Sequence, residues 1–206
     1  MIDRLRSREN IPLLVAGALL ISILLAWLAP SEATLGDAVK LIYVHAALMW
    51  VGFGYLTIGG ITGASYVIWR RDAFINWSYG SSFVGVALLL ATGILGAFSA
   101  KITWGAVFWA EPRMAMLGRI LFAAVIAGLA GRISGSKILG GAADFGLAVL
   151  AWVLVIRTER VIHPVSPIFS SDSTAVKVFP LLITATIAFA GLQLVRYWTM
   201  GPRQQS

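Results

Sequence analysis

Six apolar runs punctuate this chain, at about 12–28, 41–69, 82–98, 114–131, 138–156 and 179–198. Each reaches or exceeds the ~17–20 residues that an α-helix needs to cross a bilayer. Backbone amides in lipid must be satisfied within the protein, so runs of this length predict helices. The expected fold class is therefore all-α, a polytopic bundle of six transmembrane helices forming a single integral membrane domain over residues 1–206. Composition agrees: 59% of the 206 residues are hydrophobic and 12% are charged.

Basic residues orient such a bundle, because Lys and Arg in short loops stay preferentially on the cytoplasmic side. Arg4, Arg6 and Arg8 precede the first run, Arg70 and Arg71 follow the second, Arg132 and Lys137 join the fourth to the fifth, and Arg203 lies near the end. All of these fall on one side. The other side receives the acidic stretch "PSEATLGDA", the tryptophan-rich stretch "KITWGAVFWAEPRM" and the longer "RTERVIHPVSPIFSSDSTAVK". The expectation is an integral protein of a bacterial or archaeal plasma membrane with both termini cytoplasmic. The first run exceeds the ~7–15 apolar residues usual for a secretory signal and is read as a retained helix.

The net charge of +7 is spread over both membrane faces and forms no basic stripe, so it does not point to nucleic acid. With no cysteine, the chain forms no disulfide, has no thiol redox chemistry and cannot attach a haem to itself by thioethers. Phosphate-binding glycine loops, nucleophile elbows, HExxH and paired carboxylates at useful spacing are all missing from the sequence.

Two histidines and the tryptophan-rich stretch remain. His45 lies about one turn inside the second run, in "IYVHAALMWVG", and shares a helical face with Met49, Gly52, Leu56, Gly59 and Gly63. Small residues at that spacing admit a neighbouring helix, so the face is expected to point inward. His163 follows the fifth run in "RVIHPVSP", where Pro164 and Pro167 oppose helix. Both histidines and the tryptophan-rich stretch are thus expected at the outer end of the bundle.

Two neutral imidazoles can ligate a metal from opposite sides, and Trp104, Phe108 and Trp109 would suit the apolar parts of a planar cofactor between them. Lys101, Arg113, Arg157 and Arg160 would suit its anionic edges. Together these properties describe haem. Singly they have plainer readings, because a histidine in a membrane helix also hydrogen-bonds neighbours and interfacial tryptophan anchors many membrane proteins.

"IYVHAALMW", then "TWGAVFWAEPRM", then a histidine two spans later, resembles the six-helix CcmC type of the cytochrome c assembly family. The tryptophan-rich segment of that family reads approximately WGxxWxWDxR. Trp104, Gly105 and Arg113 match it in place, and Glu111 stands where the acid is normally Asp. Val107, Phe108, Trp109 and Ala110 keep its aromatic pattern in part, and His-Ala-Ala replaces the familiar His-Val-Pro. The resemblance follows the order of spans over nearly the whole chain.

The resemblance implies a protein that is not an enzyme, binds haem b at the outer face and delivers it within a haem-attachment pathway. His45 and His163 would be the axial ligands of the haem iron, and residues 104–113 the platform. The implied partners are a haem chaperone of CcmE type, an ATP-binding-cassette transporter, a small single-helix protein of CcmD type, or an apocytochrome c. Two readings from other classes stand beside it: a bis-histidine b-type cytochrome that anchors an electron-transfer enzyme, and a cofactor-free transporter or assembly protein. Arg119 and Asp144, each about two turns inside a run, are functional suspects by their depth. A structural ion pair between them, or snorkelling to the surface, explains them equally well.

Overall fold

A computed structural model of the chain describes residues 7–33, 35–159 and 171–200. After a single 3-10 turn at Arg8–Asn10, the described residues form six α-helices: α1 Ile11–Leu28, α2 Val39–Trp69, α3 Asp72–Trp104, α4 Pro112–Ser134, α5 Lys137–Arg157 and α6 Thr174–Thr199. All six are long and apolar enough to cross a membrane, and the protein is an all-α membrane protein.

α2 is the central post. It packs most extensively on α3, then on α5 and α6, while α1 lies along α6 and α4 along α5. Small residues permit this, since helices in lipid associate through close packing of backbones rather than through a hydrophobic drive. A Cβ on Gly85 of α3 would lie 2.8 Å from Leu56 N and 2.9 Å from Gly52 O of α2. A Cβ on Gly141 of α5 would lie 2.8 Å from Gly63 O. At these crossings backbone meets backbone, so no larger side chain fits.

Hydrogen bonds between helices add direction to the packing. Tyr55 of α2 donates its hydroxyl to Ala188 O of α6 at 2.6 Å. The Ser22 and Thr186 hydroxyls of α1 and α6 lie 2.7 Å apart. Trp152 Nε1 of α5 donates to Thr57 Oγ1 of α2 at 2.8 Å.

Polar contacts also identify the two ends of the bundle. At the end where α1 begins, Lys137 Nζ bridges to Asp72 Oδ1 at 2.7 Å, joining the starts of α3 and α5. There too the Arg8 guanidinium stands 4.4 Å over the Tyr197 ring of α6. This is the basic end. At the opposite end, the first connection is tied down by a backbone bridge between Glu32 and Gly36 and by Ser31 Oγ donating to Asp37 Oδ1 at 2.5 Å. Lys40 spans from Asp37 to Trp27 O, at 3.0 and 3.2 Å.

The third helix departs from the expected run at 82–98, extending from Asp72 to Trp104. Its added first turns contain Ser78, Gly80 and Ser81, all buried. These residues lower the hydropathy of the sequence, yet they face protein: Ser78 meets Gly59 O of α2 and Asp144 of α5, and Gly80 packs against Val195 and Trp198 of α6. The connection before α3 is only Arg70 and Arg71. Arg70 takes a left-handed conformation with φ 57° and donates its N–H to Tyr66 O at 2.9 Å, closing α2.

Candidate functional site

His45 sits six residues into α2, about 9 Å along its axis at 1.5 Å per residue. It is half-buried and faces α3. The ring rests on Gly96, where a Cβ would lie 2.8 Å from His45 Cε1 and 3.1 Å from Nδ1. Nδ1 lies 3.1 Å from the backbone oxygen of Thr92. A carbonyl can only accept, so Nδ1 carries the hydrogen in this contact, and a neutral ring would present its lone pair at Nε2. A backbone carbonyl holding one ring nitrogen in this way is the usual support of a metal-ligating histidine.

The tryptophan-rich stretch joins α3 to α4 at this same end. α3 closes at Gly105, whose φ of 76° is left-handed and whose N–H donates to Lys101 O at 3.1 Å. Lys101 returns its ammonium to Gly105 O at 2.8 Å. At the far side of the loop, Glu111 is 5% exposed, and its Oε2 accepts from the backbone N–H groups of Arg113 and Met114 at 2.9 and 3.0 Å. Glu111 thus caps α4, with Pro112 in the first helical position, where its missing N–H costs nothing. The carboxylate also suits the positive end of the helix dipole.

At the end of α3 and between these anchors, the aromatic side chains stand outward. Trp104 is 45% exposed, Phe108 43% and Trp109 73%. Eight residues of α3, about 12 Å, separate the Gly96 level from Trp104. His45 and the aromatic loop therefore share one end of the bundle at different heights.

Of the other site residues named from sequence, Arg157 is exposed at the last turn of α5, on the same end. His163 and Arg160 lie outside the described residues. Among the described residues no group of three or more His, Asp or Glu side chains is close enough to hold a metal ion.

Two contributors to the His45 environment, Thr92 and Gly96, were not singled out from sequence. The glycine was the available signal, because it marks close approach on the α3 face opposite α2. Pairing of Arg119 with Asp144 does not occur: Arg119 is exposed on α4, and Asp144 is buried with its Oδ2 2.6 Å from Ser78 Oγ. Ser78 is one of the residues in the unforeseen first turns of α3.

No known family profile matches the chain. Over 96 residues it is 29% identical to a cytochrome c biosynthesis ccmC-like mitochondrial protein of Marchantia polymorpha. That stretch covers 47% of this chain and 40% of the relative, so the match takes in less than half of the relative's own length.

Proposed function

We propose that this membrane protein serves cytochrome c biogenesis by holding haem at the end of the bundle that bears the tryptophan-rich loop and passing it to a haem chaperone or an apocytochrome c. Haem b is the cargo. The observation that carries this reading is the His45 imidazole, braced through Nδ1 by Thr92 O, at the same end as an exposed aromatic loop. The similarity to a ccmC-like protein supports it independently.

In this reading His45 and His163 would be the residues that hold the haem iron. Trp104, Phe108 and Trp109 cover the apolar macrocycle. Arg113 and Lys101 offer positive charge to the propionates. Gly105 and Glu111 act one step away, by fixing where the loop leaves α3 and enters α4. Thioether formation would take place on another protein's thiols, since this chain has none. The proposed location is the bacterial or archaeal plasma membrane, with the termini in the cytoplasm and the haem end outside. An ATP-binding-cassette transporter and a small single-helix protein are the further partners proposed.

A pyridine haemochrome spectrum of the purified protein tests the reading. Haem is expected in the wild type, reduced in His45→Ala and His163→Ala, and partly restored by added imidazole, which fills the vacated axial position. A His45→Ala, His163→Ala double variant with wild-type haem content overturns the assignment. Transfer of that haem to an acceptor distinguishes delivery from the electron-transfer anchor, which would retain its haem and change redox state instead.

A further inference from the structure

The half of the bundle toward the basic end contains a second polar centre, unconnected with the proposed haem site. α3 and α4 touch near their shared loop, where Leu117 packs against the Gly93 position, and make few contacts elsewhere along their lengths. Toward the basic end they leave a cavity of about 430 Å³, lined among others by Tyr79 and Phe83 of α3, Gly128 of α4, Asp144 of α5 and Trp198 of α6. Its rim reaches the perimeter of the bundle, since Phe83 is 56% exposed and Gly128 is exposed beside it. A Cβ on Gly128 would meet nothing within 4 Å.

Asp144 lies in the wall of this cavity, about 10 Å along α5 from Lys137 and only 8% exposed. Its neighbours are hydroxyls: Ser78 Oγ at 2.6 Å, itself 2.9 Å from Gly59 O, and Ser82, buried in the same wall. The salt bridges among the described residues are Lys40 to Asp37 and Lys137 to Asp72, so the cation at the cavity mouth already has its own acid. An acid at this depth needs either a proton or a positive partner. Arg119, the other deep charge, does not supply one.

We propose that this crevice binds a cationic amphiphile of the alkylammonium class, which enters sideways from the bilayer and takes Asp144 as its counter-ion. The volume is that of a small-ligand pocket, and is too small for a whole helix about 10 Å across. Apolar walls receive the chain, and the Phe83 and Trp198 rings, stacked 5.1 Å apart, form one side.

The test is site-resolved labelling of Asp144 by dicyclohexylcarbodiimide, an apolar reagent for protonated carboxyls, in the full chain reconstituted in lipid nanodiscs and read by mass spectrometry. Asp144 is expected to be labelled in the wild type. Dodecyltrimethylammonium should lower that labelling about tenfold, a 1.4 kcal/mol effect, whereas dodecanol of equal chain length should leave it nearly unchanged. Gly128→Leu, which fills open space without touching Asp144, should remove the labelling while the helical circular dichroism persists. Asp144→Asn should bind less of a spin-labelled alkylammonium by electron paramagnetic resonance. Equal protection by the alcohol, absence of wild-type labelling, or wild-type labelling in Gly128→Leu would each overturn the proposal. Labelling that is blocked in native membranes and regained only on purification would assign the crevice to a partner helix and also overturn it.

Discussion

The crossing of α2 with α3 and α5 and the loop between α3 and α4 use the same resource, close control of backbone position, to opposite ends. At the crossing, Gly59, Gly63, Gly85 and Gly141 bring helices together until side chains are excluded. At the loop, Gly105 and Glu111 fix two helix termini so that large side chains between them stay outside. Burial is complete in one region and withheld in the other. Stability should therefore reside at the crossing, and recognition at the loop.

Equal insults at the two places should separate these roles. Gly63→Leu should have the largest effect: its Cβ would press on Gly141 O and lie 2.8 Å from Ser78 Oγ, with backbone on one side that cannot yield. Overpacking costs about 1–3 kcal/mol and occasionally more, and with backbone on one side the upper end is expected here, visible as a much lower unfolding midpoint or as failure to recover folded protein. A midpoint like that of the wild type would show that α2 and α5 separate easily, and the comparison would fail.

Glu111→Ala comes next. Loss of the cap leaves the Arg113 and Met114 amides without this acceptor at the start of α4 and should cost about 1–2 kcal/mol. Hydrogen exchange should quicken in the first turn of α4 and stay unchanged at Gly63. Glu111→Asp, a shorter acid, should recover part of the loss.

Trp109→Ala removes more atoms than either change, yet should alter stability by no more than about 0.5 kcal/mol, because the ring is already mostly outside. What should fall is haem transferred per haem bound, measured with an acceptor present. Unchanged transfer on replacing Trp104, Phe108 and Trp109 together would remove the recognition role from the loop.

The smallest effect concerns the first connection, at the same end of the bundle as the aromatic loop. The hydrogen bond from Ser31, and then Lys40, hold the Asp37 carboxyl below its ordinary value of 3.8. The stabilisation is therefore present above pH 3.8 and is lost as pH falls through the lowered value. Acidification through that lowered value should loosen the connection at Ser31 and Asp37, as read by local hydrogen exchange, and Asp37→Asn should make that loosening independent of pH.

Much of this division was legible in the sequence. The spacing of His45, Gly52, Leu56, Gly59 and Gly63 identified the buried face of α2, because a period of three and four with small residues has few other uses in lipid. Crowding of Trp104, Phe108 and Trp109 beside Pro112 likewise marked a loop that differed from the plain connections. The length of α3 was not legible, since hydropathy measures affinity for lipid whereas Ser78 and Ser81 face protein. The surroundings of Asp144 were hidden for a related reason: depth along a helix can be counted from sequence, but rotation toward one neighbour rather than another depends on crossings that no single helix encodes. His45 could be placed on its face, yet its brace on Thr92 O uses a backbone atom, which has no letter in the sequence.

The caps at the two ends of the tryptophan-rich loop set a rule for how this segment can drift over time. Gly105 and Glu111 are fixed to the ends of two helices that are themselves locked into the bundle, so the chain between them spans a set distance. Substitutions among residues 106–110 leave that span intact, and one aromatic can replace another there without cost to the scaffold. An insertion or deletion cannot be absorbed so simply: it must unwind a turn of α3 or break the Glu111 cap. In descendants of this chain, the interval from the glycine to the capping acid should outlast the identity of nearly every residue within it.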